Sequence, residues 1–284
     1  MPTSCVICGN TDKRVIFEEF DIDVFACKKC GHVFSSYNID PNYNDYFNNK
    51  LINSKEQFWW DEAHKAMYND FCQRFIQNKK GKLLDVGCGL GYFLKTVSAY
   101  PSWEVFGCEI SPQAVNFAKE KLGLNNIFCG SIQDSDFNKN SFDIITLWDV
   151  IEHIPEPDSF LKHIFTLLKK TGMLFIHTPN INIQLPKARL KKNLKGMNHD
   201  IHYLEAKDHI NIYSMETISR ILYRNDFKQI RFIHLKPIQS VSGSKSPVLK
   251  FIKNLWYYFS VVLFWLTFKR INFDNLFVVA KMEK

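Results

Sequence analysis

The segment Leu83–Leu94, LLDVGCGLGYFL, constrains the fold of this chain more than any other feature. Asp85 lies near the end of an apolar, strand-like run. The run is followed at once by Gly87, Gly89 and Gly91, and then by a helical pattern. Glycines allow a tight turn from a strand into a helix and let the backbone approach a ligand closely, with the helix N-terminus behind it. The segment therefore predicts a nucleotide-binding turn that includes Cys88 between the glycines.

Strand-like and helix-like segments alternate on the C-terminal side of this turn. One helix is marked by Ser111 as its N-cap and Pro112 at its first position. Such alternation predicts an α/β fold, a Rossmann-like and mainly parallel sheet with helices on both faces. Together with KLLDVG, seven strands are expected. The other six are WEVFGCEI, NNIFCG, SFDIITLWDV, MLFIHTP, FKQIRFIHL and LFVVAKM.

Two CxxC pairs lie near the N-terminus, Cys5 with Cys8 and Cys27 with Cys30. Four thiolates in two tight turns can enclose a tetrahedral Zn²⁺, and four protein ligands leave no open position for chemistry. A redox site needs only one such pair and usually opens a helix. The spacing predicts a zinc ribbon whose metal is structural, because so short a region has too little core to fold unaided.

These patterns suggest a division of the chain. We expect a zinc-ribbon-like module over residues 1–36, a linker over 37–56 and one α/β domain over 57–284. Within that domain, residues 180–213 are polar and His-rich and predict a helical and loop lid over the acceptor. Residues 237–272 form a basic and aromatic insertion.

Composition narrows the class of protein. A hydrophobic content of 46% and a charged content of 23% exclude wholesale disorder. The net charge of +7 is compatible with nucleic acid, anionic lipid or a phosphorylated substrate and does not choose among them. Eight cysteines without an export signal indicate a reducing compartment, so we expect a cytoplasmic protein.

The longest apolar run is LWYYFSVVLFWLTF, Leu255 to Phe268. As a helix it would be about 21 Å long, at about 1.5 Å per residue. This is too short for a bilayer core of about 30 Å. Cations flank the run, and the stretch from Lys245 to Arg270 has no acidic residue. The pattern suits either a helix at the inner membrane surface or a hydrophobic helix that covers the sheet or a dimer surface.

The glycine segment and its context resemble the class I S-adenosylmethionine-dependent methyltransferases from about Phe58 to the C-terminus. The resemblance implies that S-adenosylmethionine is the cofactor, with Glu109 at the ribose hydroxyls. Ile110 is then expected beside Glu109 as a further cofactor-binding residue. Ser131 and Ile132 are expected near the adenine, and Trp148 with Asp149 near the methionine moiety. A dinucleotide dehydrogenase also has a glycine-rich turn. The cysteine between the glycines and the EHIP segment, which resembles the family's EH signature, argue against that class.

The resemblance also extends to the acceptor side. DHINIYS, Asp208 to Ser214, resembles a segment of the zinc-bearing sugar methyltransferases in which an acidic residue and a histidine line the acceptor pocket. Asp208 and His209 are therefore candidate catalytic residues, together with His153 of the EHIP segment. A histidine titrates near neutrality and can act as a base. The alternative is that these histidines only hold loops in place.

We therefore expect an enzyme that methylates a small polar metabolite, such as a nucleotide-linked sugar or another precursor of a surface glycan or lipid. One alternative is a quinone-like or lipid-like acceptor at the membrane surface. Another alternative is an RNA substrate bound by the zinc ribbon and the basic stretch from Lys187 to Lys195. Acidic residues in the ribbon argue against nucleic acid. A scaffold that binds the cofactor without turnover is disfavoured by the intact turn and Glu109. Oligomeric state is not indicated.

Overall fold

A computed structural model describes residues 4–37, 63–238 and 247–282 of the chain. The N-terminal strands are β1 (Lys13–Glu19), β2 (Ile22–Cys27) and β3 (Val33–Ser35), which pair antiparallel. A distant two-residue strand, β9 (Asn211–Ile212), joins the outer side of β3. The sheet of the cysteine region is therefore completed by a segment almost 180 residues away along the chain.

The second sheet has seven strands in the order β10-β11-β8-β7-β4-β5-β6. The strands β8, β7, β4, β5 and β6 run parallel, and β11 pairs antiparallel with both β8 and β10. The predicted seven-stranded, mainly parallel sheet is confirmed. The strands are β4 (Gly81–Val86), β5 (Trp103–Glu109), β6 (Ile127–Cys129), β7 (Phe142–Trp148), β8 (Leu168–Thr178), β10 (Phe227–Ile233) and β11 (Leu276–Met282).

Helices connect these strands and cover the sheet. In the described part of the chain they are α1 (His64–Phe75), α2 (Tyr92–Ser98), α3 (Pro112–Leu122), α4 (Pro157–Leu167), α5 (Ile181–Lys195), α6 (Met215–Arg224) and α7 (Pro247–Leu266). The Ser111 hydroxyl caps α3 by accepting the Ala114 N–H at 3.4 Å, as its position before Pro112 predicts. The helical spacing of Ala63, Met67, Phe71 and Phe75 predicts a helix from Gln57 to about Gln77. Helix α1 is observed from His64, and the start of the predicted helix lies outside the described residues.

The cysteine region packs onto the larger sheet as part of one core. Phe25 and Phe34 belong to the same buried cluster as Leu84 and Ile176 of the central strands. The Arg224 guanidinium donates to the carbonyls of Val6 at 2.7 Å and Ile7 at 2.6 Å, while it also binds the Asp158 carboxylate. Apolar burial and these charged hydrogen bonds together fix how the cysteine region sits on the α/β sheet.

Glu19, at the end of β1, makes a further connection. Its side chain is buried, and its carboxylate accepts the N–H groups of Leu204 and Ala206 at 3.1 Å and of Glu205 at 3.3 Å. A carboxylate that accepts three N–H groups forms strong, charge-assisted hydrogen bonds. The cysteine region thereby holds the loop that leads to His209.

None of the helices in the described part of the chain combines the length and hydropathy needed to cross a bilayer. The basic and aromatic insertion forms α7, which reaches the protein through a few contacts. Phe264 packs edge-on against His234 at 4.8 Å between ring centroids, and the Ser260 hydroxyl donates to the Phe273 carbonyl at 3.4 Å. Both ends of this insertion meet the sheet where β10 ends and β11 begins.

Candidate active site

The glycine turn lies at the carboxyl end of β4 and has the left-handed backbone that its sequence predicts. Gly87 and Gly91 have φ values of +70° and +84°. A Cβ atom on Gly87 would lie 2.6 Å from Cγ2 of Val150, so only glycine fits there. The N–H groups of Gly87 and Cys88 donate to the Cys108 carbonyl at 2.8 and 3.1 Å. The turn is therefore locked onto the end of the neighbouring strand.

Two buried carboxylates stand beside this turn. Glu109 accepts the N–H of Gly89 at 2.9 Å through one oxygen and the N–H of Ser111 at 2.8 Å through the other. Asp85 accepts the Thr146 hydroxyl at 2.6 Å. Burial raises the pKa of Glu109, and these N–H groups oppose the rise. Burial raises the pKa of Asp85 to about 8, opposed by the Thr146 hydroxyl and reinforced by the charge of Glu109.

The residues expected near the adenine lie on the other side of Glu109. The N–H of Gly130 donates to the Glu109 carbonyl at 2.9 Å, which brings the end of β6 against the end of β5. Ser131 caps the short 3-10 turn that holds Ile132, and Ile132 is buried. Ile110 is 41% exposed, an apolar side chain open to solvent directly after Glu109. The position of Ile110 suits contact with a flat aromatic ring.

Asp149 follows β7 and has a left-handed backbone at φ +53°. Its carboxylate lies 3.1 Å from Nδ1 of His177, a side chain only 2% exposed at the end of β8. Burial alone would raise the pKa of Asp149, but His177 and, at longer range, His64 and His209 hold it below its ordinary value. Asp149 is therefore an anionic group at the sheet edge. Such a group suits the positively charged methionine part of the expected cofactor.

Trp148 precedes Asp149 and is buried in an aromatic cluster. Its ring lies 5.1 Å from that of Tyr68 and 4.6 Å from that of Phe175, measured between centroids. Its Nε1 has no hydrogen-bond partner among the described residues. Trp148 thus forms the apolar floor of the site next to Asp149. Cys88 is also buried, so its side chain fills the core and only its backbone is available to a ligand.

The predicted catalytic histidines meet beside Asp149. The rings of His153 and His209 lie 5.0 Å apart between centroids, at an interplanar angle of 68°. Nδ1 of His153 lies 2.9 Å from the Asp208 carbonyl, and Nδ1 of His209 lies 3.0 Å from the Leu204 carbonyl. Asp208 therefore meets this cluster through its backbone. Among the described residues, the carboxylate nearest to Nε2 of His209 belongs to Glu205, at 3.4 Å.

Burial keeps both histidines neutral near pH 7. It lowers the pKa of His153 to about 4, with the neighbouring His209 adding to the effect. It also lowers the pKa of His209, although the charge of Asp149 opposes the change. A carbonyl oxygen can accept a hydrogen bond only from a ring nitrogen that carries a proton. Each neutral ring therefore has its proton on Nδ1 and its lone pair on Nε2. The catalytic role predicted for His209, His153 and Asp208 stays a prediction.

The four N-terminal cysteines come together in space. Cys5 Sγ lies 3.5 Å from Cys30 Sγ, and Cys8 Sγ lies 3.5 Å from Cys27 Sγ. All four sulfur atoms lie within 4.8 Å of one another. Zn–S bonds of about 2.3 Å place sulfur atoms roughly 3.8 Å apart at the corners of a tetrahedron. The cluster fits a Zn²⁺ ion, and the bound metal stays a prediction.

Comparison with protein families gives a match that covers more than half of the chain. A family model described as "Methyltransferase domain" matches residues 59–231. The chain belongs to this family. It is a class I S-adenosylmethionine-dependent methyltransferase by fold and by motif, as the glycine turn and Glu109 predict. When bound, S-adenosylmethionine supplies a methyl group on a positively charged sulfur, which an acceptor takes up by in-line displacement.

Several curated relatives carry the same name. A ubiquinone biosynthesis O-methyltransferase of Coxiella burnetii is 33% identical over 140 residues, which are 45% of this chain and 59% of that protein. One from Neisseria meningitidis is 27% identical over 146 residues, 46% of this chain and 60% of that protein. The matched part thus spans about 60% of the length of these relatives.

Solved structures share the fold at low sequence identity. A Haemonchus contortus phosphoethanolamine N-methyltransferase 2 in complex with S-adenosyl-L-methionine matches 86% of this chain and 60% of its own, with a TM-score of 0.55 and 16% identity. A Thermotoga maritima methyltransferase, described as a possible histamine N-methyltransferase, matches 82% of this chain and 97% of its own, with a TM-score of 0.52 and 15% identity. These likenesses support the architecture alone.

The site also contains residues that the sequence patterns did not single out. In the sequence, His177 lies within the strand pattern MLFIHTP and has no other distinguishing feature, yet its side chain faces Asp149. Glu205 reads as a loop carboxylate, yet it faces His209 and has a left-handed φ of +57°. A polar residue inside an apolar strand pattern was the available signal for His177. No local signal marks Glu205, because its role depends on how the loop folds back.

Proposed function

We propose that this enzyme transfers a methyl group from S-adenosylmethionine to a hydroxyl of an apolar, quinone-precursor-like acceptor that it meets at an anionic membrane surface. The names of the curated relatives support this acceptor class over the nucleotide-linked sugar expected from the sequence. The observation that carries the proposal is the polarity of α7. This helix turns its more polar side toward the protein and its apolar side outward.

The side of α7 that meets the protein contains mainly polar or partly polar residues. Ser260 is fully buried, and Lys253, Tyr257 and Thr267 are half-buried at helical spacing, while Phe264 is the large apolar side chain buried on this side. The Lys253 ammonium lies 3.4 Å from the Ile238 carbonyl, to which it donates. An ordinary surface helix does the opposite and buries its apolar stripe. The outward side therefore needs another apolar environment.

Large apolar side chains cover that outward side. Their exposed fractions are high: Phe251 67%, Ile252 52%, Leu255 60%, Trp256 46%, Tyr258 65%, Phe259 51%, Val262 55%, Trp265 61%, Leu266 71% and Phe268 86%. Monomeric soluble proteins rarely expose a contiguous apolar surface of this kind. Lys269 and Arg270 follow the helix, both exposed, and no acidic residue lies between Lys245 and Arg270. An anionic lipid surface matches both the apolar and the cationic character.

The position of α7 connects this surface to the site. The segment after α7 returns through Asn272 and Asn275 to the start of β11. Asn275 Nδ2 lies 3.2 Å from Nε2 of His177, the residue that faces Asp149. The Asn180 side chain donates to the carbonyls of Asn272 and Asp274 at 3.1 Å. We therefore expect an acceptor with an apolar tail to leave the lipid beside the sheet edge at which the methyl donor is proposed to bind.

The basic stretch of α5 gives less support to an RNA substrate. The Arg189 guanidinium donates to the Ile16 carbonyl and the Lys192 ammonium to the Glu18 carbonyl, both at 3.0 Å. The Lys191 ammonium donates to the His202 carbonyl at 2.6 Å. These cations hold the cysteine region and the acceptor loop, and so are less available to phosphates. We also propose that the four-cysteine cluster holds a structural Zn²⁺ that stabilises this attachment.

The proposal is tested with anionic vesicles that contain a hydroxylated aromatic acceptor with an apolar tail. Release of S-adenosylhomocysteine is measured beside soluble nucleotide-sugar acceptors and an RNA fragment. We expect turnover with the vesicle-borne acceptor. Turnover with nucleotide sugars alone would restore the sugar hypothesis, and turnover with RNA alone would restore the nucleic-acid one.

A pair of matched variants tests the role of α7. Leu255→Glu with Phe259→Glu should lower vesicle co-sedimentation by at least roughly tenfold, because each buried apolar side chain contributes about 1.5–3 kcal/mol. Leu190→Glu with Leu194→Glu on α5 has the same spacing and similar exposure, 59% and 73%, and should bind as the parent does. A stable dimer by light scattering that ignores vesicles and dissociates in the α7 variant would overturn membrane docking.

A further inference from the structure

Glu152, His153 and His209 form a second group of potential metal ligands besides the four cysteines. One potential ligand atom of each residue lies within 4.8 Å of those of the other two. Glu152 is 1% exposed and belongs to the short 3-10 turn after β7. His209 comes from a loop more than 50 residues further along the chain. Folding therefore brings one carboxylate and two imidazoles together at the acceptor edge.

The two carboxylate oxygens of Glu152 have different surroundings. Oε2 accepts the Thr178 hydroxyl at 2.9 Å. Oε1 is buried and has no hydrogen-bond partner among the described residues. A buried carboxylate oxygen without a partner costs free energy unless a bound group satisfies it. The carboxylate is fixed on one side and open on the side of its second oxygen.

The two histidines are oriented as metal ligands usually are. Each directs Nδ1 at a backbone carbonyl, that of Asp208 for His153 and that of Leu204 for His209. A ligating histidine almost always donates its other ring N–H to such an acceptor, which fixes the tautomer and presents the lone pair to the metal. These contacts give both rings an Nε2 lone pair, so both are chemically competent to bind a cation.

The surroundings of His209 give an independent indication. Its Nε2 lies 3.4 Å from a carboxylate oxygen of Glu205. Because Nδ1 carries the ring proton toward Leu204, an imidazole lone pair and an anionic oxygen face each other there. Two acceptors at this distance repel unless a proton or a cation lies close to both. A cation would relieve this contact and satisfy Oε1 of Glu152 at once.

We infer that Glu152, His153 and His209 form a site for a divalent transition-metal ion at the acceptor edge. A donor set of two nitrogens and one oxygen suits borderline ions such as Zn²⁺, Mn²⁺ or Fe²⁺, whereas Mg²⁺ and Ca²⁺ prefer oxygen ligands. Three protein ligands leave coordination positions open. An acceptor hydroxyl can occupy one of them. That last point rests on the proposed function, and metal binding itself does not.

The site is tested by metal stoichiometry on the full-length protein, with Co²⁺ as the probe. The apoprotein is titrated with Co²⁺ while thiolate-to-cobalt absorption reports the four-cysteine site. We expect two equivalents, of which one produces no thiolate band. Glu152→Gln and His209→Asn should each remove that second equivalent and leave the thiolate band intact. His202→Ala is the matched control, because this histidine is 85% exposed and contacts Glu205 from the solvent side.

Calorimetry with S-adenosylhomocysteine shows that each variant is folded. One equivalent in the parent protein, or a second equivalent that survives both Glu152→Gln and His209→Asn, would overturn the site. A second equivalent together with no turnover on quinone-like acceptors would keep the metal site and reject the proposed function. Unchanged turnover in Glu152→Gln without the second equivalent would overturn the coordination of the acceptor hydroxyl by the metal.

Discussion

The proposed cofactor side and the proposed acceptor side of this site, called the cofactor side and the acceptor side below, are built differently. The cofactor side joins the ends of β4 and β5, and its main contacts link Gly87, Cys88 and Gly89 to Cys108 and Glu109, about 20 residues on. The acceptor side gathers residues from the turn after β7, from β8, from the 196–210 loop and from the cysteine region. A lesion in the cysteine region should therefore affect the acceptor side and spare the cofactor side.

The largest effect is expected on the cofactor side from Gly87→Val. A side chain here combines a left-handed backbone with a Cβ contact of 2.6 Å to Val150, so the turn must move. We expect no calorimetric heat with S-adenosylhomocysteine. Gly123→Val is the control, since its φ of +69° carries a similar cost of about 1–2 kcal/mol while its Cβ meets open space. Retained binding in Gly87→Val would show that the turn is not the cofactor site.

Cys27→Ser should show most clearly that the acceptor side depends on the cysteine region and that the cofactor side does not. Loss of one thiolate from the four-cysteine cluster should release the proposed Zn²⁺, at a cost of several kcal/mol, because binding of a structural metal contributes directly to the free energy of folding. We expect slower methyl transfer with little change in cofactor affinity, measured by turnover and calorimetry. Cys129→Ser removes an exposed cysteine and should keep the metal content. Equal loss of cofactor affinity in Cys27→Ser would contradict the separation of the two sides.

Glu19→Gln tests the same connection by a smaller change. The neutral amide keeps the shape of the side chain and removes the charge that accepts three N–H groups of the acceptor loop. Hydrogen bonds to a charged group are worth about 1.5–3 kcal/mol, so we expect a loss of that order in the free energy of unfolding. The acceptor KM should rise while the cofactor Kd stays constant. The exposed neighbour Glu18→Gln should change neither.

Asp85 should give the smallest effect per pH unit, seen as a pH dependence of the free energy of unfolding. In the folded state the pKa of Asp85 is about 8, above the ordinary value of an aspartate. Between these two values the folded state binds more protons than the unfolded state, so the free energy of unfolding falls as pH rises. One such group contributes at most about 1.4 kcal/mol per pH unit. Asp85→Asn should flatten this slope between pH 5 and 8 in chemical denaturation of the cofactor-free protein. An unchanged slope would mean that Asp85 is ionised throughout this range.

Sequence reasoning was most reliable where a structural requirement is local. The glycine turn, the Ser111 cap and the strand bearing Glu109 follow from steric and hydrogen-bond rules that act over a few residues, and each is observed as predicted. The cysteine pairs likewise converge as their spacing predicts. Their close attachment to the α/β sheet through β9 and Arg224 was not predicted, because no short-range pattern encodes it.

By itself, the sequence determined the α/β fold, the seven strands and the glycine turn at the sheet edge. Hydrophobic periodicity and glycine conformation are written into neighbouring residues, and parallel strands then bring their carboxyl ends to one edge. Only the tertiary structure decided that Glu205 rather than the Asp208 carboxylate faces His209, that His177 faces Asp149, and that α7 is apolar on its outer side. Those pairings depend on long-range packing, which sets the surroundings of a side chain independently of its neighbours in sequence.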